Sequence, residues 1–210
     1  MSAYDNPSPT LRLSALSNYM GGPAGLAGVG FWPRALARLT DMATHYGVTY
    51  ATGLVFGFML RIASDGHVSR LVILRLRGFS LLNFLLVLLG SILFHAFCEG
   101  IHGSTPGKLM LSMVVVQETG ATCGLKAAWM RSLAYLIDSL FFGIVAYSSM
   151  QDSPMEQRLG DKWAETVVCK RADVPPTSLH GPDRFVLALF FAIIVDSALC
   201  MLGLLVRVMS

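Results

Sequence analysis

The sequence predicts an all-α fold, an integral membrane helical bundle of about four transmembrane helices with a short β-hairpin element in its loops. Composition is the first reason: of 210 residues 54% are hydrophobic and only 14% charged, and the mean hydropathy is +0.59, above that of an ordinary soluble domain. The second is length, because a hydrocarbon core of about 30 Å takes roughly 20 mostly apolar helical residues. Runs of that kind occur at 42–60, 79–98, 133–150 and 185–206. The third is the backbone, since each unsatisfied amide or carbonyl facing lipid costs several kcal/mol. The many alternating ten-residue segments of a barrel are missing, which leaves helices.

Residues 1–30 join a Ser/Pro/Asn-rich start to "GGPAGLAGVG" and read as a flexible tail. No long apolar stretch follows a basic one there, so a cleaved signal peptide is not expected. A membrane domain follows over 31–171, with spans near 42–60, 79–98 and 133–150. Residues 172–184 read as a linker and 185–206 as an additional C-terminal transmembrane helix. The spans at 79–98 and 185–206 are the most apolar. With four crossings the Lys and Arg residues of the loops divide almost evenly, so their bias assigns no side of the membrane.

"MVVVQETGATCG" and "ETVVCKR" have the β-branched content of strands. They can pair only on one side of the membrane, which a simple third crossing forbids. Either the third segment dips and returns or the strands do not meet; both remain open at this stage.

An octapeptide recurs: "RALARLTD", Arg34 to Asp41, and "RSLAYLID", Arg131 to Asp138. On a helix its Arg and Asp lie two turns apart on one face, with a small Ala between them that lets another helix come close. In the first copy Arg34, Arg38, Asp41 and His45 form one polar stripe, and Arg38 can reach Asp41 locally. In the second, Tyr135 replaces the inner base and leaves Asp138 without a local partner. An unpartnered aspartate at membrane depth costs about 2.5–3.5 kcal/mol. Arg34 or Arg38 of the other helix is its expected partner, so the two Arg–Asp faces should meet inside the bundle.

Four stretches together, "FWPRALARLTD", "GSTPGKLMLSMVVV", "RSLAYLID" and "QRLGDKWAETVVCKR", make the chain resemble the RDD family of small polytopic membrane proteins, named for one Arg and two Asp. The resemblance runs from about Phe31 to Arg171 and picks out Arg34, Asp41, Arg131, Asp138 and Asp161. Its loop motif falls on Gly103, Thr105, Gly107 and Lys108. Ser104 stands where the family usually has Gln, and Ala164-Glu165-Thr166 where it has Ala-Gly-Thr. The last helix lies outside the resemblance.

Asp196 sits near the middle of the last span, and an intramembrane carboxylate marks either a proton or cation site or a hydrogen-bonded packing group. His95, Glu99 and His102 include an E-x-x-H spacing used by di-metal bundles, but no second such motif exists, so they are weak metal candidates and an interfacial polar cluster is expected instead. No metal or other cofactor is expected. Cys98, Cys123, Cys169 and Cys200 form no CxxC pair and read as reduced packing residues.

No nucleophile–base pair, catalytic carboxylate pair or cofactor fingerprint occurs, so an enzyme is not expected. The resemblance implies transport of a cation or small solute coupled to protons, with Arg34, Arg38, Asp41, Arg131, Asp138, Asp161 and Asp196 as structural or ion-pathway charges. The alternative is a non-catalytic accessory subunit of a larger membrane complex. Expected partners are the lipid bilayer and either a homo-oligomer or such a complex, with no nucleic acid. The location is a multi-pass position in a bacterial inner membrane or a eukaryotic organelle membrane.

Overall fold

The computed structural model describes residues 25–67, 72, 76 and 80–209. Most of the expected tail, up to residue 24, lies outside the described residues, as do Phe79 and the bases Arg70, Arg75 and Arg77.

Among the described residues three helices are long and apolar enough to cross a membrane. Helix α1 (Phe31–Ala63) starts ahead of Arg34, so the first octapeptide forms its opening turns and not a lead-in to it. Helix α2 (Leu81–Phe97) is capped by Ser80, which accepts from Asn83 N–H at 3.4 Å. Its last turn widens into a π-helix at Cys98–His102 and stops at Gly103, whose φ of 89° is open to glycine and costly for other residues. Helix α3 (Pro106–Met110) begins with Pro in its first turn and with the Thr105 hydroxyl accepting from Lys108 N–H. Strand β1 (Met113–Gln117) follows.

The second half repeats the first in shortened form. Helices α4 (Gly124–Asp138) and α5 (Leu140–Gln151) lead to a short helix α6 (Leu159–Trp163) and strand β2 (Thr166–Lys170). Helix α7 (Pro182–Met209) closes the chain and packs on α2 and α1.

Strands β1 and β2 pair antiparallel, Val115 opposite Val168. Two strands in one sheet lie on one side, so the chain between them leaves that side and comes back. The axes of Gly124–Asp138 and Gly143–Gln151 meet at 111°. At 1.5 Å per residue, these limbs of 15 and 9 residues reach about 22 and about 14 Å, each short of a 30 Å core. The residues read as a third span, 133–150, form this bent pair, and the shared sheet favours the first of the two alternatives that the sequence leaves open, a segment that enters and returns. The β element is real, but it joins distant segments and is not a local hairpin.

The sheet is buried on both faces. Val114, Val116, Val167 and Cys169 pack with Leu26 and Val174, whereas Met113, Val115 and Val168 pack with Val29, Ala37 and Ala128. Leu26 and Val29 belong to the expected flexible tail; instead they are core residues, and Val29 N–H donates to the Val168 carbonyl at 2.8 Å. Val174 likewise anchors the expected linker to the sheet. Burying these apolar side chains, at about 25 cal/mol per Å², is what orders both segments.

The repeat in the structure is larger than the repeated octapeptide. Each half is a helix carrying Arg-x-x-Ala-x-x-x-Asp, a second helix, a five-residue helix and a five-residue strand. Ser112 and Glu165, just before the two strands, take matching left-handed conformations at φ 54° and 51°. Both halves begin and end at the sheet, so they are parallel repeats, the first crossing the membrane twice and the second only dipping into it.

Candidate functional site

Each octapeptide uses its Ala and Asp in the same way. In the first, Gly107 of α3 lies so close to α1 that a Cβ there would collide with the Ala37 carbonyl oxygen. The Asp41 carboxylate then accepts from Gly107 N–H and from the Thr105 hydroxyl, both at 2.7 Å. In the second, Gly160 of α6 lies against Ala134, and Gly160 N–H donates to Asp138 at 3.4 Å. The small Ala does admit a close neighbour, and the neighbour is a short helix whose first amides the Asp caps.

That geometry makes both glycines sensitive. Gly107→Ala forces a methyl onto a backbone carbonyl, and Gly160→Ala places one 2.8 Å from the Ala134 Cβ. Each should cost about 1–3 kcal/mol and lower the thermal midpoint in detergent. Gly57→Ala, with nothing within 4 Å, should not.

The arginines converge elsewhere. Asp161, in α6, is fully buried and binds three guanidinium groups: Arg34 by a short ion pair, Arg131 at 2.7 Å and Arg158 at 3.4 Å. Arg34 also donates to the carbonyls of Val29 at 2.7 Å and Glu156 at 2.8 Å. Arg131, only 1% exposed, reaches Glu99 at 3.0 Å and the Thr166 hydroxyl at 2.7 Å. Glu99 in turn takes Lys108 Nζ at 2.5 Å. Burial alone would raise the Asp161 carboxyl, but the charges of Arg131, Arg158 and Arg34 outweigh it and hold the group well below the usual carboxylate range.

The two Arg–Asp faces thus meet, but through different partners from those expected. Asp138 pairs with neither Arg34 nor Arg38, and one of its oxygens has no partner. Arg34 goes to Asp161 because α6 lies between the two helices. Arg38, instead of bonding Asp41, lies over the Tyr135 ring at 4.0 Å. Asp41 is already occupied by the Gly103–Lys108 loop.

The weak metal candidates His95, Glu99 and His102 have other partners in the structure. Both Glu99 oxygens face cations, His102 Nδ1 lies 3.4 Å from the Ser104 carbonyl, and His95 Nδ1 points towards Asp41 at 4.0 Å. Among the described residues no group of three His, Cys, Asp or Glu is placed to hold a metal ion. The four cysteines are free and buried.

Asp196 forms a second centre, deeper in the bundle. Its Oδ2 lies 3.2 Å from His45 Nδ1 of α1, ion-pair distance without hydrogen-bond geometry, and its Oδ1 fits against Gly90 of α2, where a Cβ would collide with it. His45 lies one turn from Asp41 on α1, so the Asp196–His45 pair and the Asp41–His95 pair are stacked along one helix. Sequence reasoning does not single out Arg158 or Ser132, which lie within this charged region, because nothing in their local pattern distinguishes them; it marks Tyr135 only as the residue standing where the first octapeptide has Arg38.

Two paired half-units, three helices among the described residues long and apolar enough to cross a membrane, and a charge cluster beneath a small sheet define a multi-pass helical membrane protein. Residues 29–165, more than half of the chain, match the RDD family, and the protein belongs to that family. No curated protein and no solved structure matches the chain.

Proposed function

We propose that this RDD protein couples proton movement to transport of a cation or other small solute across its membrane. The observation that carries the reading is the Asp196–His45 pair, 3.2 Å apart and almost wholly buried within spanning helices. A carboxylate placed there is expensive, and its common use is proton or ion traffic. One turn on, His95 and Asp41 continue the series of titratable groups towards the sheet. The parallel half-units supply the kind of repeat around which carriers rock, and so small a bundle would work as a dimer. The protein acts without covalent catalysis or a cofactor.

The test is reconstitution. Purified protein in liposomes should dissipate an imposed pH gradient faster than empty liposomes, with a rate that depends on which cation or solute is supplied outside. A rate equal to that of empty liposomes under every solute gradient would refute transport.

A second reading, an accessory subunit of a larger membrane assembly, is favoured by a different observation. Arg34, Arg131, Glu99 and Asp161 pair with one another across the two half-units, as internal glue would. On that reading, gentle extraction should recover the chain with a stoichiometric set of larger partners, and purified protein should carry no ion.

A further inference from the structure

Beside the paired charges lies a cavity of about 130 Å³ between α1, α2 and α4. Among the described residues four donors on its lining residues have no hydrogen-bond partner: Arg38 Nε, Arg131 Nη2, Arg158 Nε and Ser132 Oγ. Arg131 and Ser132 are only 1% and 7% exposed, so water does not freely satisfy them. A buried guanidinium nitrogen left without an acceptor carries the full penalty of its lost hydration, and finding several around one space points to an absent acceptor.

The charges fix its sign. Arg34, Lys108 and His95 also line the cavity, and its carboxylates are Asp41 and Glu99. Those two are spent on Thr105 and Gly107, and on Lys108 and Arg131. Asp161 and Asp138 lie behind the lining, the first bound by three arginines and the second by Gly160 N–H. Arg38 has no carboxylate within 4.0 Å among the described residues; it is held flat by Tyr135. Five lining cations therefore face four carboxylates in and behind the wall, and the four unpartnered donors all belong to residues that line this space. The volume suits a tetrahedral oxyanion with a few waters.

We propose that this cavity binds a phosphate-type oxyanion, with Arg38, Arg131, Arg158 and Ser132 as its donors. A second space of about 440 Å³ shares Arg38, Leu88, Ser91 and Tyr135 with the first and continues past Met42, Phe84 and Val87. An alkyl chain fits that apolar continuation, so the group arrives either as a free anion or as the headgroup of an anionic lipid. The site stands on its own geometry and requires no transport.

The test is binding to the purified, delipidated full-length protein in dodecyl maltoside. Inorganic phosphate, compared with chloride at equal ionic strength, should raise the thermal midpoint saturably. Phosphatidic acid added to phosphatidylcholine nanodiscs gives the second arm. A response to free phosphate assigns a soluble oxyanion, and a response to phosphatidic acid alone assigns a lipid headgroup. In either case Arg38→Gln should weaken the apparent affinity about tenfold or more, as loss of a charge-assisted bond does. Ser91→Leu, which fills the cavity without removing a charge, should do the same. No response of wild-type protein to either probe would overturn the site, as would unchanged affinity in both variants.

Discussion

Asp161→Asn should remove about 3–5 kcal/mol from the folded protein, because it takes the shared anion from three guanidinium groups that stay behind. Arg34 would keep its two carbonyl acceptors and Arg131 would keep Glu99, but both are buried and neither can retreat to water. The loss should appear as a collapse of the monodisperse fraction on gel filtration and a large fall in thermal midpoint. Arg158→Gln is the comparison: its side chain is 16% exposed and its contact is 3.4 Å, so a change below about 1 kcal/mol is expected. A normal midpoint in Asp161→Asn would mean that the cluster is not what joins the half-units. The same centre sets a pH dependence. The folded Asp161 carboxyl titrates below its unfolded value, so its contribution is complete above the ordinary carboxylate range and falls away as the pH drops through and below it. Unfolding midpoints of wild-type protein should decline in acid, and the Asp161→Asn variant, once folded at all, should lack that part of the decline.

Asp196→Asn should abolish proton flux in liposomes while leaving the protein folded. The amide matches the carboxylate in shape, keeps its fit against Gly90 and faces a His45 that can offer either a donor or an acceptor. What it cannot do is take up and release a proton. A midpoint within a few degrees of wild type together with flux at the empty-liposome level would separate an ion-pathway role from packing. Undiminished flux would remove Asp196 from the pathway, and a large loss of stability with no flux in the wild type would make the residue structural. His45→Gln should behave alike, since it removes the other half of the pair.

The spanning helices α1, α2 and α7 were readable from hydropathy because lipid makes the same demand on every turn. The Arg–Asp octapeptide, the Gly103–Lys108 loop and Asp161 were also visible, and the family followed from them. Which charge meets which was not visible. Arg34 and Asp161 are 127 residues apart, and local spacing favoured Arg38 with Asp41. Glu99 resembled a metal ligand because its neighbours in sequence are histidines, whereas its partners, Lys108 and Arg131, come from a loop and another helix. The full repeat was hidden for a related reason: the aspartate meets its glycine across 66 residues in one half and 22 in the other. The shortened second half also explains why 133–150 resembles a span, since two limbs bent between Asp138 and Gly143 carry the composition of one.

The convergence of both half-units on one side of the membrane is tested most directly by side-resolved cysteine labelling. In a background with the four native cysteines replaced, Thr119→Cys, Asp173→Cys and His67→Cys each expose one thiol, the first two near the strands and the third just beyond α1. An impermeant maleimide applied from either side of sealed vesicles should label Thr119→Cys and Asp173→Cys from the same side and His67→Cys from the other. Labelling of Thr119→Cys and Asp173→Cys from opposite sides would make the third segment a full crossing, and the shared sheet and the Arg34–Asp161–Arg131 cluster could not exist.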